Sequence, residues 1–214
     1  MSSRAPAFCG LILAAGASTR MGRDKALLPW PLGDPQGTFL GGAIASLQAA
    51  TDMVIVVAGV NAAALRPTVF ARAAFLVENP QPERGQFSSL RAGLRSVLDY
   101  GRDAAIVTLV DRPPVQAATV AALRAAFVES DRDVWAVVPS CAGTHGHPIV
   151  IGREMIEALL RAPEQSTARE VLHQHATRVR YVDVDDSNVA SNVNTPDDYA
   201  RLGPAMCSSG EIKS

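Results

Sequence analysis

Apolar runs rich in β-branched residues recur along the chain, each bounded by turn residues and followed by a longer Ala/Leu/Arg-rich stretch of helical period. The pattern predicts strands at Phe8-Leu13, Met53-Ala58, Ala73-Val77, Ala104-Leu109, Val134-Pro139, Pro148-Ile151 and Thr177-Val182. Helices are predicted at Phe39-Ala50, Ser89-Tyr100, Val115-Ser130 and Arg153-Leu160. In Ser89-Tyr100, Leu90, Leu94, Val97 and Leu98 share one face, with Ser88 placed as the cap. Alternation of this kind implies an α/β fold, a parallel sheet covered by helices on both sides. One connection breaks it: Ser140-Cys141-Ala142-Gly143-Thr144-His145-Gly146-His147 is too short for a helical crossover and suits a hairpin-like excursion, so the sheet is expected to be mixed in its C-terminal half. Thr195-Pro196-Asp197-Asp198 reads as a helix start. No repeat or linker divides the chain, so one domain over residues 1–203 is expected, with a loose polar tail over 204–214.

Composition narrows the functional classes. The 214 residues are 48% apolar, 19% charged and 5% aromatic, with a formal net charge of -1. That supports a sizeable core and leaves no basic excess for neutralising a nucleic-acid backbone at many points. No apolar run approaches the ~20 residues of a membrane span, and the run Phe8 to Ala17 reads as a buried first strand rather than a signal peptide. Cys9, Cys141 and Cys207 lie far apart and are odd in number, which points to a reducing, cytoplasmic setting.

The candidate chemistry starts directly after the first strand, at Leu13-Ala14-Ala15-Gly16-Ala17-Ser18-Thr19-Arg20-Met21-Gly22-Arg23-Asp24-Lys25. Small side chains let backbone N–H groups approach an anion closely, while Arg20 and Lys25 bring positive charge to the same place. The combination suits a nucleoside triphosphate, although it is neither a Walker loop nor the GxGxxG of a dinucleotide fold. Asp111 follows the strand Ala104-Leu109, at the edge of a parallel sheet where ligands gather. A carboxylate there is a natural Mg²⁺ ligand. Asp24 reads as a surface or turn residue, and Trp30 and Trp135 as packing anchors. His145-x-His147 and His173-x-His175 lack a third ligand, and zinc is not expected.

The run Leu13-Ala14-Ala15-Gly16-x-x-x-Arg20-Met21-Gly22-x-x-Lys25 resembles the opening of the nucleotidyltransferases related to molybdenum cofactor guanylyltransferase and cytidylyltransferase. The resemblance continues through Asn79-Pro80, Gly85-Gln86-Phe87-Ser88-Ser89-Leu90, Asp111-Arg112-Pro113, Gly146-His147-Pro148 and Asn192-Val193-Asn194-Thr195-Pro196, to about Leu202. It implies a three-layer α/β/α, Rossmann-like domain of the nucleotide-diphospho-sugar transferase type. It implies an Mg²⁺-dependent transfer of CMP from CTP to the phosphate of the molybdenum cofactor, with release of pyrophosphate. The segment at Gly85-Leu90 is similar to the cytidylyltransferase branch, whereas Asn192-Val193-Asn194 is closer to the guanylyltransferase branch. Transfer from GTP, or to another phosphorylated acceptor, is therefore the alternative; a non-catalytic cofactor-binding maturation protein serving a molybdoenzyme is an alternative of another class.

Residue by residue, the resemblance assigns Leu13 to Gly16, Arg20, Met21, Gly22 and Lys25 to the nucleotide, with Lys25, Arg20 and Asp111 as the catalytic set. Arg20 has the competing role of bracing the loop. Asn79, Ser88 and Ser89 are placed near base or ribose, Ser88 sharing that role with helix capping. Gly146, His147 and Pro148 are placed at the acceptor, His147 alternatively stiffening the hairpin. Asp111 and Asn194 are the metal ligands it implies.

Overall fold

The computed structural model describes residues 6–16, 21–31 and 37–202. Arg20, Cys207 and the tail expected from 204 lie outside the described residues. A twisted sheet has the strand order β3-β2-β1-β4-β7-β5-β6, with β8 paired to β5. Its strands are β1 (Phe8–Leu13), β2 (Met53–Ala58), β3 (Phe75–Glu78), β4 (Ala104–Leu109), β5 (Ala136–Cys141), β6 (Thr144–His145), β7 (Ile149–Gly152) and β8 (Val179–Asp183). The helices are α1 (Phe39–Gln48), α2 (Ala62–Ala71), α3 (Gln86–Asp99), α4 (Ala117–Val128), α5 (Arg153–Arg161), α6 (Ala168–Gln174) and α7 (Pro196–Ala200).

Every residue of β1 and β2 is buried, as expected of strands covered on both faces. Side chains alternate between two cores. Phe8, Ile12, Val54, Val56 and Ile106 pack under α1, α2 and α4, through Ile44, Leu47, Leu65 and Leu123. Leu11, Ile55, Val57 and Val107 pack under α3, α5 and α6, through Leu90, Leu94, Met155 and Val171. Helices on both faces make the fold a three-layer α/β/α sandwich.

The sheet is mixed where the short connection predicted it. β7 runs antiparallel to both β4 and β5, while β1, β2, β3 and β4 are mutually parallel and β8 is parallel to β5. β6 and β7 both pair with β5: His145 faces Ser140 and Ile151 faces Ala136. Six steps on one strand therefore span four on the other, and the extra length is the Gly146-His147-Pro148 segment.

Two expectations need correction. Ser88 does not cap α3. The helix starts at Gln86 behind Gly85, whose φ of +88° lies in the region that favours glycine, and Ser88 sits inside the first turn. Its hydroxyl donates to the Gly85 carbonyl instead. Helices α2 and α6 were not expected from the periodicity; α2 carries Pro67 in its interior, and α6 is a single short element behind a Thr167/Glu170 capping box.

Candidate active site

β1 and β4 are adjacent, but the chain leaves β1 toward β2 on one side and reaches β4 on the other, so a crevice opens between their C-terminal ends. It is a cleft of about 460 Å³. Leu13, Ala15, Gly16 and Lys25 form one wall; Pro82, Glu83, Gly85, Gln86 and Ser89 form a second; Leu109, Val110 and Asp111 form the floor.

Lys25 and Asp111, far apart in sequence, both line this cleft, and Asn194, outside its lining, bonds Lys25. Lys25 is only 8% exposed, so its charge must be satisfied locally, and its Nζ donates to Asn194 Oδ1 at 3.0 Å. The Asn194 segment is tied to the floor by Val193 N, which donates to the Asp111 carbonyl at 2.8 Å. Asn194 N and Thr195 N both donate to Asp198 Oδ2, inside the capping box that starts α7. These bonds hold the Asp198 carboxyl below its ordinary range.

Asp111 Oδ1 is buried and has no hydrogen-bond partner. Leaving a carboxylate oxygen in that state is costly, and an ion or a water is among the groups that would relieve it. Asp111 and Asn194 supply hard oxygen donors, the chemistry that suits Mg²⁺ or Mn²⁺. No group of three or more His, Cys, Asp or Glu among the described residues is arranged to hold a metal. A cation here would draw the rest of its shell from substrate and water.

The other expected site residues divide by position. Ala15 and Gly16 line the cleft, and Leu13 meets them at the end of β1. Ala14 is buried, its N–H continuing the sheet to the Val57 carbonyl. Met21 packs with Leu28, Phe39 and Val193, beneath the loop rather than in the cleft, and Gly22 is in the exposed turn beside it. Ser89 lines the cleft, but Asn79 and Ser88 stand behind it. The Asn79 amide donates to Ser88 Oγ at 2.8 Å and Ser89 Oγ at 3.0 Å, while its Oδ1 accepts from Gln81 N. Asn79 therefore fixes the hydroxyls.

Gly146, His147 and Pro148 lie outside the lining of this cleft. A Cβ on Gly146 would stand 1.7 Å from the Val189 carbonyl oxygen, so only glycine fits there. His147 N donates to that same oxygen at 3.0 Å. Burial, with the neighbouring Arg112 charge, pushes the His147 imidazole down to about 4. Arg112 in turn donates to the Val189 and Ser191 carbonyls, at 3.3 and 3.2 Å.

Two residues that sequence reasoning missed hold this frame. Asp186, buried, accepts from Gln116 N and Thr119 Oγ1 at the start of α4. Asn61 accepts from Gly59 N and donates to Ala14 O and Asp24 Oδ2. Both bridge segments distant in the chain, and the one local sign is an Asx residue opening a turn.

The model of the MobA-like NTP transferase domain matches residues 10–179, which include the whole cleft floor. The chain belongs to this family. It is therefore a nucleotidyltransferase, and its fold is that of the nucleotide-diphospho-sugar transferases. A molybdenum cofactor guanylyltransferase of Xanthomonas euvesicatoria pv. vesicatoria is 31% identical over 204 residues, covering 90% of this chain and 93% of its own. A molybdenum cofactor cytidylyltransferase of Escherichia coli K12 is 26% identical over 192 residues, covering 88% and 92%. Rv0371c of Mycobacterium tuberculosis H37Rv superposes with a TM-score of 0.76 at 29% identity, covering 93% of this chain and 98% of its own. Its manganese complex superposes with a TM-score of 0.73 at 27% identity, covering 92% and 97%. The transferase fold expected from the motifs is thus the fold found. Among the described residues no helix is long and apolar enough to cross a membrane.

Proposed function

We propose that this nucleotidyltransferase moves CMP from CTP to the phosphate of the molybdenum cofactor. The observation that carries the catalytic part is that buried Lys25, which bonds Asn194, and Asp111, whose Oδ1 is unpartnered, line one cleft. An acceptor phosphate oxygen attacks the α-phosphorus, a new P–O bond forms, the bond to the β-phosphate oxygen breaks, and pyrophosphate leaves. The protein supplies no nucleophile; it supplies placement and charge.

Ala15 and Gly16 keep the wall low enough for the phosphate chain to lie against backbone. Lys25, a point charge on a flexible stem, exchanges Asn194 for phosphate oxygens and neutralises the departing pyrophosphate. Arg20 belongs to the same loop and is proposed as a second cation for the phosphates. Asp111 and Asn194 are proposed to hold Mg²⁺, which when bound supplies charge neutralisation on the phosphates. Ser89, set by Asn79, presents a hydroxyl to the base or ribose. Gly146-His147-Pro148 is proposed to flank the acceptor.

Cytosine is favoured by the Gly85-Gln86-Phe87-Ser88-Ser89-Leu90 wall and by the cytidylyltransferase relative. The Asn192-Val193-Asn194 segment and the guanylyltransferase relative favour GTP as the second reading. Pyrophosphate release measured with CTP, GTP, UTP and ATP, with Mg²⁺ and molybdenum cofactor, separates them. CTP turnover that vanishes in Asp111→Ala supports the proposal; a preference for GTP shifts the base assignment. Turnover of none of the four removes the acceptor assignment.

A further inference from the structure

We propose that Asn61, acting through Asp24, is a positioning residue that holds Lys25 and the first loop in register for a triphosphate. The proposal rests on the nucleotidyltransferase reading of Lys25. Asn61 stands just after β2, on a different crossover from the loop it touches. Its carboxamide makes three bonds: Oδ1 accepts from Gly59 N at 3.1 Å, and Nδ2 donates to Ala14 O at 2.9 Å and to Asp24 Oδ2 at 2.6 Å.

The two acceptors of Nδ2 are the two ends of the loop. Ala14 immediately precedes Ala15 and Gly16, which line the cleft, and Asp24 immediately precedes Lys25. One amide group therefore sets the distance between the limb that carries backbone N–H groups and the limb that carries the cation. The other oxygen of Asp24 accepts from Ala26 N at 3.0 Å and caps the single turn Lys25–Leu27. That turn fixes the direction in which Lys25 leaves the backbone, and its Nζ arrives 3.0 Å from Asn194 Oδ1. Both Asp24 oxygens are thus engaged by neutral donors, which makes its carboxylate a fixed brace for the loop. A short charge-assisted bond such as 2.6 Å suits that role.

The test is calorimetric binding of CTP, CDP and CMP, and of GTP, GDP and GMP, with Mg²⁺, to the wild type, Asn61→Ala, Lys25→Ala and the double variant, alongside thermal unfolding. The wild type is expected to prefer triphosphate to monophosphate, and Asn61→Ala to lose about tenfold in triphosphate affinity with monophosphate affinity unchanged. On the Lys25→Ala background, Asn61→Ala should cost less than about threefold, because residues acting as one unit are not additive. Equal losses for mono- and triphosphate, or full additivity, overturn the proposal and leave a merely structural asparagine. A wild type with no triphosphate preference overturns the Lys25 reading beneath it, a result that the Asn61 variant cannot produce. Should Asn61→Ala fail to unfold cooperatively, Asn61→Asp, which sets two carboxylates face to face, takes its place. Adding Asp24→Asn should then restore part of the triphosphate affinity, and no restoration overturns the proposal.

Discussion

The first loop and the closing segment around Asn194 are built by different means. The two described ends of the first loop, Ala14 to Gly16 and Asp24 with Lys25, are held by side-chain bonds from Asn61 and Asp24, half-buried groups that bridge between loops. The closing segment, Asp186 to Asp198, which lies outside the cleft lining together with Gly146 and His147, adds backbone contacts to the bonds of the Asp186, Arg112 and Asp198 side chains: Val193 N on Asp111 O, His147 N on Val189 O, and Gly146 flat against that carbonyl. A side-chain brace anchors the loop backbone but tolerates movement of the long Lys25 stem. A close-packed backbone contact tolerates none, and it fixes where Asp111 and Asn194 stand. Damage to the first loop should therefore fall on chemistry, and damage to the closing segment on stability and chemistry together.

The largest expected effect isolates chemistry. Asp111→Ala should lower turnover by about a thousandfold, in the range for removing one preorganised charge-stabilising group. Its unfolding midpoint should be unchanged or raised, because an unpartnered buried oxygen is removed. Parallel kinetics and thermal unfolding check both halves. Gly146→Ala is the converse: a Cβ 1.7 Å from the Val189 oxygen forces backbone apart, and we expect a loss of about 3 kcal/mol, roughly 6–12 °C in midpoint, with activity falling alongside.

The closing segment should also carry the pH sensitivity. His147 is held at about 4 against an ordinary 6.5, so the unfolded chain takes up its proton first as the pH falls. The stability it contributes is full above pH 6.5 and is lost between 6.5 and about 4. His147→Gln should flatten that part of the stability profile, by ~1–3 kcal/mol, in denaturant titrations at successive pH values. The smallest effect belongs to Ser89, where Ser89→Ala removes one hydroxyl at the cleft and should weaken nucleotide binding about two- to tenfold, measured by calorimetry.

How much of this was legible follows from the same contrast. β1, β2 and β4 match the apolar runs residue for residue, because strands buried on both faces write themselves as unbroken hydrophobic sequence. The apolar run Ala73-Val77 sets β3 two residues early because it is a half-exposed edge strand with a weak pattern. α2 was obscured by Pro67, and the α3 start by Ser88, which resembles a cap while Gly85 makes the turn. Lys25, Asp111 and Asn194 stood out by their motifs, and the fold brings them together. Asn61 and Asp186 did not: Asn61 bonds Asp24 and Ala14 across 37 and 47 residues, and Asp186 bonds Thr119 and Gln116 across 67 and 70. No periodicity records such contacts. Cys9, buried with its thiol pushed up to about 12, is core.

The central claim is that Asp111, Lys25 and Asn194 form one nucleotidyl-transfer site. Its most direct test follows label from the α-phosphate of CTP or GTP to molybdenum cofactor in a single turnover with Mg²⁺. The account predicts labelled acceptor and one pyrophosphate per transfer in the wild type, with transfer abolished in Asp111→Ala while the protein remains folded. Label transfer that persists undiminished in Asp111→Ala would contradict it.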